Sequence, residues 1–206
     1  MISSSHFRSA RSLLLIAIVW HACLMCLSAA ADNAQYHSET VRVLTFNLWH
    51  GGDAGQQPLE QSVEVIRQSR ADIVGLQETA GVAPKGEPRP DRAAELAKRL
   101  GWHYLDQGGR TGIISRFEIV TATPRKWGAK IVLPSGRQMY AFNVHLPASP
   151  YQPYQLLKIP YGGAPFLTTG AEAIQAARDA RGKQVEEMIA EVKDILPEGL
   201  PVVLTG

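Results

Sequence analysis

Three apolar runs of this chain each end on a polar residue that metal-assisted phosphate chemistry can use. The runs span residues 41–47, 72–78 and 139–145, and they end on Asn47, Glu78 and His145. Each run is about as long as a strand and rich in β-branched and aromatic residues, so each is predicted to be a largely buried strand. The terminal asparagine, glutamate and histidine would then meet at one rim. Each could instead be an ordinary strand-end residue that caps a loop or pairs with an arginine.

The carboxylate of Glu78 follows an apolar run and therefore needs a partner of opposite charge. A buried, ionised carboxylate without one costs several kcal/mol, so a cation or a strong hydrogen-bond donor is expected beside it. A divalent metal ion meets that need. Since Mg²⁺ keeps several waters and needs only one or two protein carboxylates, Glu78 is predicted to be a ligand of Mg²⁺, with Mn²⁺ as the alternative ion.

At these residues the chain resembles the endonuclease/exonuclease/phosphatase superfamily, the metal-dependent phosphodiesterases that include deoxyribonuclease I-like nucleases and neutral sphingomyelinase-like enzymes. The matching stretches are residues 44–49, 73–78, 111–119 and 142–146. The Gln-Glu pair that closes an apolar strand is the most specific element, followed by Asn-x-His-Leu. The resemblance extends from about residue 41 to residue 206 and implies an α/β fold, the two-sheet sandwich of the deoxyribonuclease I type.

The resemblance also implies roles for the three strand-end residues. Asn47 would help to place the metal ion or a phosphate oxygen, or else its amide ties the strand end to the next loop. His145 would hydrogen-bond the phosphate or protonate the leaving oxygen, a role suited to a group that titrates near neutrality. A partly buried histidine satisfied by a backbone carbonyl is the alternative for His145.

A wider set of polar and aromatic residues could contact the substrate: His50, Arg110, Arg116 and Tyr154. The histidine lies in a Gly-rich loop, where a structural role is the alternative. The arginines could bind phosphate through two hydrogen bonds, or they could serve as surface or packing residues. Tyr154, together with Tyr151, Tyr161 and Trp49, could form an aromatic wall for a base, a sugar or a lipid headgroup, or could pack its loop onto the domain.

The C-terminal residues 201–206 resemble the strand that leads into Gly-Asp-x-Asn in this family, and the sequence ends at Gly206. The family's later Asp-His pair is not in the sequence either. The resemblance implies that those residues complete the metal site and supply the general base. The domain is therefore predicted to be incomplete at its C-terminus, and the alternative function is a catalytically inactive binding domain or a nonfunctional fragment.

Residues 1–31 have the pattern of a secretory signal peptide. Arg8 and Arg11 are followed by an apolar run over residues 13–27 and by small residues at 28–31, as at a cleavage site. The apolar run is short for a membrane span and is interrupted by His21, although a retained N-terminal anchor is the alternative. The sequence thus predicts a secreted or periplasmic protein whose mature domain spans residues 32–206 and has no transmembrane span.

The composition and the motifs that the sequence lacks disfavour several other kinds of active site. Both cysteines lie within the predicted signal, so the mature chain would have neither a disulfide nor a catalytic thiol. Without Arg8 and Arg11, the 21 basic residues become 19, which balance the 19 acidic ones; net charge therefore does not favour nucleic acid over other partners. The chain has no His-Glu-x-x-His, Gly-x-Ser-x-Gly or Walker motif, which disfavours familiar zinc, serine-hydrolase and P-loop sites.

The pattern along the chain supports this fold class. Apolar residues at helical spacing predict helices near residues 59–66 and 174–195, and a third helix is predicted from Pro90-Asp91 to a stop at Gly101. Closely spaced strands over residues 102–146 predict an antiparallel meander, and residues 147–169 a long surface loop beside the rim. The predicted function is metal-dependent hydrolysis of a phosphate ester, in first place by a phosphodiesterase that acts on nucleic acid or a phospholipid headgroup. A sugar phosphate is a further candidate substrate, and no obligate protein partner is predicted.

Overall fold

A computed structural model describes residues 38–206, so the predicted signal peptide lies outside the described residues. The chain divides at Thr40, and the architecture below is that of the unit from Val41 to Gly206. No helix among the described residues is long and apolar enough to cross a membrane.

The described unit contains eight strands, four α-helices and two short 3₁₀ segments. In chain order they are β1 (Val43–Asn47), a 3₁₀ segment (His50–Gly55), α1 (Leu59–Ser69), β2 (Ile73–Gln77), α2 (Arg92–Leu100), β3 (His103–Gly108), β4 (Thr111–Ser115), β5 (Glu118–Ala122), β6 (Gly128–Val132), β7 (Gln138–Asn143), α3 (Gln152–Leu156), α4 (Gly170–Ile195), a 3₁₀ segment (Leu196–Glu198) and β8 (Val202–Thr205).

The first sheet has the strand order β1-β2-β4-β3. β1 and β2 are parallel and are joined through α1, because parallel neighbours need a crossover connection. β4 pairs antiparallel with both β2 and β3. All five residues of β2 are buried, which explains why the four residues before Gln77 are all apolar or glycine instead of alternating with polar ones.

The second sheet has the order β5-β6-β7-β8. β5, β6 and β7 form an antiparallel meander, and β8 lies parallel to β7 after the long helix α4. The chain changes from one sheet to the other between β4 and β5. The predicted meander is therefore present in β5–β7, whereas β3 and β4 belong to the first sheet.

Three apolar clusters hold four layers together. One lies between the first sheet and helices α1 and α2, with Val63, Ile66 and Leu96 fully buried. A second lies between the two sheets, and a third between the second sheet and α4, where Phe142 is fully buried. The α/β two-sheet sandwich predicted from the sequence is confirmed.

The strand ends differ slightly from the predicted runs, and the difference matters for the rim. β2 ends at Gln77 and β7 at Asn143, so Glu78 and His145 lie one and two residues beyond their strands. The loop over residues 147–169 is largely irregular, as predicted, apart from the short helix α3.

Candidate active site

Glu78 lies immediately after β2 and is fixed there by its backbone. It has a φ of 54°, in the left-handed region that a non-glycine residue adopts at a cost. Its carbonyl oxygen accepts a hydrogen bond of 2.7 Å from the backbone N–H of Gly51. This conformation turns the side chain out of the strand, and the carboxylate reaches the rim with about a fifth of its side chain exposed.

Two donors from the β1 side hold the Glu78 carboxylate. Asn47 Nδ2 donates to Oε1 at 3.0 Å, and the backbone N–H of His50 donates to Oε2 at 3.3 Å. Because β1 and β2 are parallel and in register, Asn47 lies opposite Gln77, next to Glu78. The Asn47 Oδ1 atom accepts from the Trp49 N–H at 2.8 Å, so Asn47 presents its donor to the carboxylate and its acceptor to the turn.

His145 approaches the same carboxylate from the second sheet. Its Nε2 atom lies 3.8 Å from Glu78 Oε1, an ion pair when the imidazole is protonated. The Gln184 amide of α4 donates to the His145 carbonyl oxygen at 3.3 Å. The predicted meeting of asparagine, glutamate and histidine at one rim is present, and it joins the edges of both sheets.

These contacts lower the pKa of Glu78. Burial of the carboxylate is the largest single influence and raises the pKa, but the hydrogen bonds from Asn47 and the His50 N–H, with the nearby His145 and His50 charges, outweigh it together. The carboxylate therefore stays ionised at neutral pH, the form that a cation or a protonated imidazole needs.

A buried amide network supports the rim from below. Asn143 is 1% exposed; its Nδ2 donates to the carbonyl of Leu76 at 2.9 Å and to Gln107 Oε1 at 2.8 Å. Its Oδ1 accepts from Gln77 Nε2 at 2.6 Å and from Thr205 Oγ1 at 3.1 Å. The network ties the ends of both sheets together directly beneath Glu78 and His145.

The network also explains the glycine within β2. A Cβ atom at Gly75 would lie 1.9 Å from Thr205 Oγ1 and 2.6 Å from Asn143 Oδ1. Only a residue without a side chain leaves room for the amide of the opposite sheet. No sequence motif predicts this network; a glycine within one buried strand, together with an asparagine at the end of another, is the signal that points to it.

A cleft of about 380 Å³ opens above these residues. It is lined by His50, Glu78, Gly109, Arg110, His145, Leu146, Pro147, Ala148 and Gln184. A smaller cleft of about 140 Å³ shares Gly109, His145 and Gln184 with it and continues toward Arg125, Lys126 and Trp127. The polar and basic lining suits an anionic group held beside the Glu78 carboxylate and a cation.

Arg116 is not brought to this site, contrary to the sequence-based expectation. β4 runs antiparallel to β2, so Thr111 lies opposite Gln77 at the rim. Arg116 follows the other end of β4, and its Nη1 atom donates to Asp72 Oδ1 at 3.1 Å. The direction of β4 therefore places this arginine at the opposite edge of the first sheet.

Tyr154 does not line the cleft either. It lies in α3, where its ring meets Tyr151 and Tyr161 edge-on at centroid distances of 4.9 and 5.8 Å. The three tyrosines form an exposed stack within the loop that follows His145. They pack against one another, and among the described residues none of the three lines the cleft beside Glu78.

The donor set at the rim fits a hard divalent cation in part. Glu78 offers an ionised carboxylate that is partly open to the cleft, and Mg²⁺ uses one or two carboxylates with several waters. The described residues contain no group of three or more histidine, cysteine, aspartate or glutamate side chains that could hold a metal ion. A divalent ion at this rim would be held by Glu78, and Asn47 would keep the Glu78 carboxylate in place through its hydrogen bond.

Comparison with known proteins now places this chain in a class. The sequence model of the endonuclease/exonuclease/phosphatase family matches residues 44–206, and the chain belongs to that family. An uncharacterized Caenorhabditis elegans protein, F14F9.5, is 24% identical over 138 residues, which make up 64% of this chain and 42% of that protein. This chain therefore spans less than half of that relative's length.

Several solved structures show partial similarity. A family member from Beutenbergia cavernae covers 54% of this chain and 39% of its own, at 20% identity and a TM-score of 0.41. TDP2 from D. rerio, humanized by 14 mutations, covers 58% and 53%, at 18% identity and a TM-score of 0.38. A family protein from Leptotrichia buccalis covers 54% and 56%, at 15% identity and a TM-score of 0.37.

Proposed function

We propose that this protein is a hydrolase of phosphodiesters that depends on a divalent metal ion, Mg²⁺ with Mn²⁺ as the alternative. The observation that carries the proposal is the Glu78 carboxylate, held ionised by Asn47 and the His50 N–H with His145 beside it, at the mouth of a polar cleft. Membership of the endonuclease/exonuclease/phosphatase family supports it.

Each residue has a distinct part in the proposed reaction. A bound divalent cation would offset the negative charge of the phosphate and stabilise the charge that develops in the transition state. Glu78 would hold that ion, and Asn47 would keep the Glu78 carboxylate in place. His145, with its imidazole at the rim, would hydrogen-bond the phosphate or give a proton to the leaving oxygen. Arg110, which lines the cleft, would bind a phosphate oxygen.

The loop after His145 supports a phospholipid headgroup as the substrate in preference to nucleic acid. It exposes a set of large apolar side chains: Tyr151, Tyr154, Leu156, Leu157, Ile159, Tyr161 and Phe166. Residues 147–169 contain one lysine and no aspartate or glutamate. Since Pro147 and Ala148 of this loop line the cleft, the apolar surface adjoins the proposed active site, an arrangement suited to a substrate embedded in a lipid surface.

The signal-like residues 1–31 support a secreted or periplasmic location as part of the same proposal. Processing is tested by expressing the full chain with a C-terminal tag in a bacterial host. Loss of about 31 residues and recovery from the periplasm or medium is expected. An unprocessed chain in the cytoplasm would contradict this location.

A catalytically inactive binding domain is the second candidate. The observation that favours it is that no cluster of three metal-binding side chains occurs among the described residues. Such a domain would bind phosphate esters at the rim and release them unchanged. Binding of a non-hydrolysable phosphorothioate diester without turnover of the natural ester would identify it.

The experiment that tests the proposed function is a substrate panel. The chain is incubated with sphingomyelin vesicles, plasmid DNA and a sugar phosphate, each with Mg²⁺ and with EDTA. We expect metal-dependent hydrolysis of the lipid headgroup ester, lost in Glu78→Gln and kept in the control Glu87→Gln, an exposed loop carboxylate. Hydrolysis of DNA alone would overturn the lipid assignment, and hydrolysis of none would overturn the function.

A further inference from the structure

A second basic pocket lies at the edge of the first sheet opposite Glu78. It has a volume of about 420 Å³ and is lined by Arg42, Ile66, Arg67, Arg70, Ala71, Leu100, Trp102 and Arg116. The residues come from the ends of elements: the start of β1 and β2, the end of β4 and the last turns of α1 and α2. Four arginines therefore surround one cavity far along the sheet from the catalytic rim.

Among the described residues, most of this positive charge has no acidic partner. Arg116 pairs with Asp72 at 3.1 Å, and the second oxygen of Asp72 accepts from the Arg42 backbone N–H at 2.9 Å. Within residues 38–206 no acidic side chain forms an ion pair with Arg42, Arg67 or Arg70. In the part of the chain that the structure describes, these three arginines thus line the pocket without a paired carboxylate.

The C-terminal ends of two helices offset only part of the positive charge of these arginines. α1 and α2 both end at this pocket, and each helix C-terminus carries roughly half a negative charge. One carboxylate and two helix ends set against four guanidinium groups leave a surplus of about two positive charges. A phosphomonoester carries about −1.5 to −2 near pH 7 and offers three acceptor oxygens, so its charge matches the surplus.

The floor of the pocket is apolar. Ile66 and Ala71 are buried, and the partly buried Trp102 and Leu100 complete the surface between the arginines. Guanidinium groups bind phosphate oxygens in pairs of hydrogen bonds, while an indole and aliphatic side chains favour a flat organic body. The cavity volume falls within the range of small-molecule sites.

We propose that this pocket binds the phosphate group of an organic phosphomonoester, with the phosphate held by Arg42, Arg67 and Arg70 and the organic body against Trp102. The site is separate from the proposed hydrolytic centre and does not depend on it. Its ligand would be bound without being modified, because no carboxylate or histidine of the described residues lines the pocket.

The test is calorimetric titration of the chain carrying Glu78→Gln in EDTA, so that hydrolysis at the rim does not consume the probe. Phenyl phosphate should bind more tightly than inorganic phosphate because of the apolar floor. Arg67→Gln and Arg70→Gln should each weaken binding about tenfold, the loss of one charge-assisted contact. Arg89→Gln, an exposed arginine in the loop before α2, is the matched control and should leave binding unchanged.

Thermal unfolding separates a binding defect from a folding defect. Both arginines are exposed, so each variant should keep the melting temperature of the ligand-free protein or raise it slightly as repulsion is relieved. Phenyl phosphate should raise the melting temperature of the wild type and of Arg89→Gln, and much less that of Arg67→Gln. Vesicles containing phosphatidic acid distinguish a lipid source of the phosphate group from a free one.

Three results would overturn the proposal. Equal binding of sulfate and phenyl phosphate would show an unselective counter-ion patch. Equal weakening by Arg89→Gln would show a diffuse charge effect. Binding of single-stranded oligonucleotide with no competition by phenyl phosphate would assign the arginines to a nucleic-acid backbone.

Discussion

At the residue scale, the proposed chemistry depends on a carboxylate that stays ionised. Asn47 and the His50 N–H both donate to Glu78, and they lower its pKa in the folded protein despite its partial burial. Because the pKa of Glu78 is lower in the folded protein than in the unfolded chain, its carboxylate stabilises the fold at pH values above the unfolded-state pKa. That contribution is lost as the pH falls through the folded value.

Glu78→Gln should therefore lower the free energy of unfolding by about 1–2 kcal/mol at pH 7, through loss of charge-assisted hydrogen bonds. The difference from the wild type should shrink as the pH falls below the ordinary glutamate range. Chemical denaturation between pH 3 and pH 7 measures it. Glu186→Gln, at an exposed position of α4, is the control; a Glu78→Gln difference that grew toward acidic pH would contradict the assignment.

Asn143 illustrates a residue whose role is to hold the site and not to react. Replacing it with leucine would leave the amides of Gln77 and Gln107 and the Leu76 carbonyl without their partner in a buried setting. We expect Asn143→Leu to cost about 3 kcal/mol, since each unsatisfied buried group carries a penalty. Urea denaturation measures this cost, with Gln61→Leu on the exposed face of α1 as control. An equally small change in the free energy of unfolding in both variants would contradict the supporting role of Asn143.

At the scale of elements, α4 holds the loop that borders the cleft. Arg181 donates from its guanidinium to the carbonyls of Pro147, Ala148 and Pro150 and to Gln152 Oε1, at 2.6–3.3 Å. Within the loop, the buried Gln155 side chain donates to the Pro165 carbonyl at 2.8 Å. These polar anchors fix the backbone and leave the apolar side chains on the outside.

Arg181→Met should loosen this loop while keeping the packing of its own aliphatic stem. We expect chymotrypsin to cleave within residues 147–169 several-fold faster than in the wild type, with a loss of only about 1 kcal/mol in global stability. Limited proteolysis followed by mass spectrometry locates the cuts. The control is Lys183→Met, because the Lys183 side chain is 90% exposed; this variant should be cleaved at the wild-type rate. An equal increase in cleavage rate in Arg181→Met and Lys183→Met would refute the anchoring role.

At the scale of the whole molecule, the parts of the candidate site that the sequence predicts are those placed by polar residues at the ends of apolar strands. The runs that end at Asn47 and Glu78 lie on neighbouring parallel strands, so their side chains share an edge. Sequence order does not reveal the direction of β4, and that direction carries Arg116 to the far edge, beside Asp72. The Asn143 network also escaped prediction, because it forms only when the two sheets pack face to face.

The measurement that tests the proposed function most directly is the hydrolysis rate of bis(4-nitrophenyl) phosphate as Mg²⁺ is titrated into the wild type and into Glu78→Gln. The wild type should show a saturable dependence on Mg²⁺ and no hydrolysis in EDTA. Glu78→Gln should be slower by on the order of 100-fold at every metal concentration. Equal rates in the two proteins, or a wild-type rate unchanged by EDTA, would contradict a metal-dependent phosphodiesterase centred on Glu78.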